Sequence, residues 1–83
     1  MTREYVYEKM NEIFRNVFDD EDITLNDETN AEDIEDWDSL EQINLIVAIE
    51  NEFGMMFDMV EVADLANVGE MVDLILSKDS ENE

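Results

Sequence analysis

The chain has 83 residues and a formal net charge of −21, from 25 Asp and Glu against four Lys and Arg, and it holds no histidine, cysteine or proline. That length fits one small domain, and a field of that sign excludes nucleic acid and anionic lipid as partners. Without cysteine there is no disulfide and no thiolate metal site, and without histidine a serine lacks its usual activating base, which argues against a catalytic serine.

Hydrophobic residues make up 45% of the chain, too many for a disordered acidic tail. One domain over residues 1–83 is therefore expected. Met1 to Met10 is charged and does not read as an apolar leader. No apolar run is long enough to cross a bilayer. The cytoplasm is the expected location, with an organelle whose transit peptide is absent as the alternative.

Val6, Met10, Ile13, Phe14 and Val17 form one helical stripe. The spacing predicts a first helix over Thr2 to Phe18, capped by Thr2 and ended by Asp19-Asp20. Asp19 to Asp38 is a long acidic connection anchored by Ile23, Leu25 and Ile34. Within it, Thr29-Asn30-Ala31-Glu32 has capping-box spacing and predicts one helical turn. Leu45, Ile46, Ile49 and Phe53 mark the inner face of a second helix over Ser39 to Phe53. Asp38 or Ser39 caps it, and Gly54 supplies the left-handed stop. Phe57 is an anchor after that stop, and Met55-Met56 add exposed apolar surface. Val62 and Leu65 suggest a short third helix over Val60 to Leu65. Asn67 with Glu70 repeats the capping-box spacing and opens a fourth helix through Val68, Val72 and Ile75, ending near Ser77. Lys78 to Glu83 is read as a frayed tail. The fold class is all-α: a small four-helix bundle of three longer helices and one short one, with a long first loop.

The Asp19-Asp20-Glu21-Asp22 run does not make a calcium loop. Starting at Asp20, Leu25 falls where such a loop needs glycine and Ala31 where it needs glutamate. No metal site is expected. Ser39 is the residue that stands out. It sits at a helix start with no base to activate it, so it reads as a site modified by another enzyme. No catalytic residue is assigned.

Asp38-Ser39-Leu40 is followed by Leu45, Ile49, Glu50, Glu52 and Phe53, then by Phe57, Leu65, Val68, Val72 and Ile75 without a gap. This series resembles the acyl carrier protein family over essentially the whole chain. The resemblance implies a carrier, not an enzyme. Ser39 would receive 4′-phosphopantetheine from coenzyme A through a Mg²⁺-dependent phosphopantetheinyl transferase. The arm's thiol would hold acyl groups as thioesters for fatty-acid, polyketide or related biosynthesis. A helix N-terminus suits the phosphodiester, while Asp38 and Glu41 oppose it by like charge. The implied partners are acyl ligases, synthases and transferases with basic docking surfaces. They would read Asp38, Leu40, Glu41, Val47 and Glu50, and the carrier would be a monomer without membrane insertion. Asn44 and Asn51 stand where typical bacterial fatty-acid carriers have glutamates, which thins the recognition charge of the second helix and leaves a dedicated pathway open beside a housekeeping one. An aminoacyl or peptidyl carrier is one alternative. A non-carrier acidic module that occupies a basic groove is the other.

Overall fold

A computed structural model describes residues 2–63 and 65–81, the last two by backbone alone. Its helices are α1 (Arg3–Phe18), α2 (Ser39–Phe53), α3 (Met59–Ala63) and α4 (Val68–Glu81). No strand occurs among the described residues. The all-α bundle expected from periodicity is the observed architecture.

Helix α1 starts where Thr2 Oγ1 accepts the Tyr5 N–H at 3.1 Å. It ends at Asp19, which adopts the left-handed conformation (φ 51°, ψ 47°) and returns its N–H to the Arg15 carbonyl. Aspartate is among the few residues other than glycine that enter this region. Val6, Met10, Ile13 and Phe14 form the buried stripe of α1, and α1 packs against both α2 and α4. Leu45 and Ile49 close the core from α2, and Val68, Met71, Val72 and Ile75 close it from α4. Gly54 terminates α2 at φ 63° and ψ 40°, with its N–H on the Glu50 carbonyl.

Four expectations need correction. Thr29 does not open a helical turn. Its hydroxyl accepts the Asn26 N–H at 3.0 Å, and its carbonyl accepts the Val68 N–H at 2.7 Å. The local cap shifts by one residue. Asn30 Oδ1 accepts from Glu32 N–H at 2.8 Å, and Asp33 Oδ2 accepts from Asn30 N–H at 3.1 Å. Helix α3 begins at Met59, where the Glu61 carboxylate accepts the Asp58 N–H at 3.1 Å, and it ends at Ala63, which leaves Leu65 beyond the helix. Met55 is buried while Met56 stays exposed. Helix α4 continues four residues past Ser77, so residues 78–81 are helical, and of the expected tail 82 and 83 lie outside the described residues. Lys78 holds that last turn down: its ammonium lies 3.0 Å from Glu61 and 5.6 Å from the centre of the Phe57 ring.

A polar latch ties the long connection to both terminal helices. Arg3 donates to Asp27 at 2.7 Å and to Asp73 at 2.5 Å. Tyr7 donates its hydroxyl to the same Asp27 oxygen. Those hydrogen bonds, Tyr7 first and Arg3 second, hold the Asp27 carboxyl below the usual carboxylate range. Burial, then the bond to Asp27, pushes the Tyr7 phenol up to about 12. A carboxyl whose folded pKa is depressed stabilises the fold above its unfolded pKa and loses that effect as pH falls through the folded value. Asp27→Asn is therefore expected to melt below the wild type at pH 7. The gap should close as pH drops below about 3.9, the unperturbed Asp value. Parallel thermal melts from pH 7 to pH 3 check this, and a gap independent of pH would contradict it.

Candidate functional site

Ser39 is the first residue of α2 and is exposed. The residues on either side of it fix its position. Before it, the Trp37 N–H closes a turn on the Ile34 carbonyl at 3.1 Å, which directs the indole into the core. The ring stands edge-on to Phe14 at 5.2 Å and lies 6.4 Å from Phe18, both on α1. Its N–H donates to Gln42 Oε1 at 2.6 Å. After it, the Glu41 N–H donates to Asp38 Oδ1 at 2.9 Å and the Gln42 N–H donates to the Asp38 carbonyl at 2.9 Å. Asp38, not Ser39, is the cap, a role worth about 0.5–2 kcal/mol. The start of α2 is thus riveted to α1 through Trp37, and the Ser39 hydroxyl takes no part in the cap.

A groove of about 580 Å³ runs beside Ser39. Trp37, Gln42 and Ile43 line it together with Met59 and Val62 of α3 and with Asn67 and Met71. Beneath it, between Ile46, Ile49, Phe57, Leu74 and Ile75, only about 10 Å³ is open. That is scarcely room for one water. A separate hollow of about 380 Å³ along the long connection shares no lining residue with the groove.

The charges around the site are one-sided. No Lys or Arg lies between Asn16 and Ser77. The cations elsewhere join parts of the fold. Lys9 lies 3.7 Å from Glu52, and Arg15 Nε donates to the Ile23 carbonyl at 2.8 Å. Lys78 and, more strongly, the Asp58 N–H hold the Glu61 carboxyl below the usual range. Among the described residues no acidic cluster is arranged to hold a metal ion, and no helix is long and apolar enough to cross a membrane.

The sequence-predicted partner residues separate into two groups. Leu40 and Val47 are exposed, at 66% and 49%. Asp38 is committed as the cap. Glu41 accepts from Asn44 Nδ2 at 3.1 Å, and half-buried Glu50 accepts the Phe57 N–H at 2.9 Å. Asp38, Ser39, Leu40 and Glu41 share one turn, while Glu50 faces the far end of α2. Sequence reasoning missed Gln42, which positions Trp37, and Ile43, which is 54% exposed. The signal for Ile43 was present: residues 40, 43 and 47 fall on one helical stripe distinct from the buried one.

A model of the family described as "Phosphopantetheine attachment site" matches residues 8–75. A curated acyl carrier protein from Petrotoga mobilis (strain DSM 10674 / SJ95) is 34% identical over 80 residues, covering 94% of this chain and 92% of the relative. The chain belongs to the acyl carrier protein family. The solution NMR structure of the holo acyl carrier protein from Geobacter metallireducens superposes with a TM-score of 0.82. It is 41% identical and covers 93% of this chain and 92% of its own. As an acyl carrier protein, the chain carries covalently attached phosphopantetheine. The site fits such a group. It offers an exposed hydroxyl at a helix N-terminus, where first-turn N–H groups face outward. Beside that hydroxyl lies a groove with apolar walls and the amides of Gln42 and Asn67, which match an amide-bearing arm.

Proposed function

We propose that Ser39 is the attachment point and that this single domain is a carrier without catalytic activity of its own. The observation that carries this reading is the exposed Ser39 hydroxyl, held at the tip of α2 by Trp37 and Asp38 but outside the cap. Ser39 Oγ supplies the nucleophile for the transferase. Its proton leaves as the bond forms, to a base that the transferase supplies. The O–P bond forms at Oγ as coenzyme A gives up its pantetheine phosphate and the adenosine bisphosphate departs. When bound, the group supplies a thiol, absent from this cysteine-free chain, that holds an acyl load as a thioester.

The residues of the chain do the positioning. Trp37 and Gln42 fix the first turn, and the helix dipole favours the phosphodiester while Asp38 limits that benefit. The phosphopantetheinyl transferase, ligases and synthases that use the arm approach at Ser39. Of the five residues expected to meet them, Leu40 and Val47 are the contacts we retain, since Asp38, Glu41 and Glu50 have internal partners. Asn44 and Asn51 are both exposed and support service in a dedicated pathway. So strongly charged a carrier works in the aqueous phase, and the cytoplasm is the compartment proposed.

Incubation with coenzyme A, Mg²⁺ and a broad-specificity transferase tests the assignment. The wild type is expected to gain the mass of one phosphopantetheine group. Ser39→Ala is expected to gain none while melting close to the wild type, because Asp38 still caps α2. A mass gain retained in Ser39→Ala would move the attachment elsewhere.

A further inference from the structure

The groove beside Ser39 is lined by two amide side chains, and the fold fixes which end of each is already engaged. Gln42 Oε1 accepts the Trp37 indole N–H at 2.6 Å. An indole nitrogen only donates, so Gln42 must turn its oxygen toward Trp37, which leaves its NH2 for another partner. The indole cannot follow a flipped amide, because its ring is wedged against Phe14 and Phe18. Asn67 is committed in the same sense. Its Oδ1 accepts the Glu70 N–H at 2.9 Å, and a backbone N–H likewise only donates. The return bond from the Ala66 N–H to the Glu70 carboxylate holds that turn in place. Both amides are half-buried. The one carboxylate on the described lining, Asp38, has Oδ1 on the Glu41 N–H. Beyond Ser39 and the indole, the other side chains described there are apolar.

We infer that Gln42 and Asn67 are fixed hydrogen-bond donors that hold the phosphopantetheine arm by its amide carbonyls. Trp37 and the Glu70 N–H are the groups that set their polarity. The groove therefore selects a ligand that brings acceptors, and an ammonium or guanidinium group finds no partner at either amide. The inference rests on attachment at Ser39, whose place on the lining starts the arm inside the groove. Tethering matters because neutral hydrogen bonds are individually weak, and an attached chain meets them at an effective concentration that a free ligand does not reach.

Gln42→Glu and Asn67→Asp test this in the holo protein, made by enzymatic transfer of an arm labelled with nitrogen-15 at both amides. Each variant keeps the acceptor that the fold uses and loses the NH2. A glutamate still accepts the indole N–H, and aspartate is a favoured cap, so thermal melts and Trp37 emission should stay close to the wild type. In the wild type the NH2 resonances of Gln42 and Asn67 are expected to move between the apo and holo forms, and the arm's amides to show order parameters above about 0.6, the limit of flexible backbone. In either variant those order parameters are expected to fall below about 0.6. Asn44→Asp, which adds the same charge outside the groove, should leave them unchanged. Arm amides equally mobile in wild type and variants, NH2 resonances that do not move, or an equal loosening by Asn44→Asp would each overturn the inference. Apo NH2 shifts that grow with protein concentration would assign the groove to a second copy and overturn it too. A wild type that gains no mass would sink attachment at Ser39 together with this inference, whereas normal mass gain with a freely mobile arm sinks the inference alone.

Discussion

Gly69→Ala is expected to lower the melting temperature by roughly 5–20 °C, from about 1–3 kcal/mol of overpacking at about 4–8 °C per kcal/mol in a domain this small. Gly69 lies buried in the first turn of α4, and its N–H donates to the Asp27 carbonyl at 3.1 Å. A Cβ there would stand 2.7 Å from that carbonyl oxygen and 3.0 Å from the Asp27 Cα and Cβ. Two of those three atoms are backbone, and Arg3 and Tyr7 grip the Asp27 side chain. The obstacle therefore cannot swing aside as the end of a flexible side chain would. Alanine gains about 1 kcal/mol of helix propensity over glycine, which offsets part of the clash but not the strained contacts between Thr29, Asp27 and α4. Total stability for a domain of this length is about 4–12 kcal/mol, so the loss is a large fraction. Thermal circular dichroism checks it. An unchanged or raised melting temperature would show that the connection yields.

Phe14→Ala should cost still more, about 3–5 kcal/mol, the usual range for emptying a large aromatic site. Phe14 is fully buried and ranks first by volume among such side chains. It sits between Phe18 at 5.9 Å and Trp37 at 5.2 Å. Removing it opens a cavity directly under the indole that fixes the start of α2. The variant is expected to sit near the edge of stability at room temperature, with a melting temperature at least about 12 °C lower on the same scaling of about 4–8 °C per kcal/mol. Trp37 is the only tryptophan, so its emission reports this site alone and should shift to the red as water reaches the ring. A small melting change with unaltered emission would mean that neighbouring side chains collapse into the space.

The parts of the fold that were readable in advance are the local ones. The α1 stripe, the Asp38 cap, the Gly54 stop and the Asn67–Glu70 pair each depend on residues within a turn or two of one another. For Asn67 the geometry is close to that expected: its side chain accepts the Glu70 N–H at 2.9 Å, while Glu70 reaches back to the Ala66 N–H, one residue earlier. What resisted reading depends on distant partners. Thr29 looked like a cap until the Val68 N–H, 39 residues on, claimed its carbonyl. Helix α4 outlasts its apolar pattern because Lys78 meets Glu61 and Phe57 from another element. Glu50 read as a surface charge, yet it folds back to hold Phe57. At the site, Ser39 was conspicuous because a helix-start serine in a chain without a base invites only a few explanations. The outward line of Leu40, Ile43 and Val47 was less apparent, because exposed Ile43 and half-buried Ile46 cannot be told apart by residue type.

The short supply of cations has a practical side for anyone tagging this molecule. Its two lysines, Lys9 and Lys78, are cross-braces, one joining α1 to α2 and the other pinning α4 to α3. Amine-directed dyes, biotin esters and aldehyde fixatives will strike those braces, and a loosened bundle could then be mistaken for a property of the cargo. A cysteine introduced at an exposed acidic position far from Ser39, in a chain with no competing thiol, is the cleaner handle.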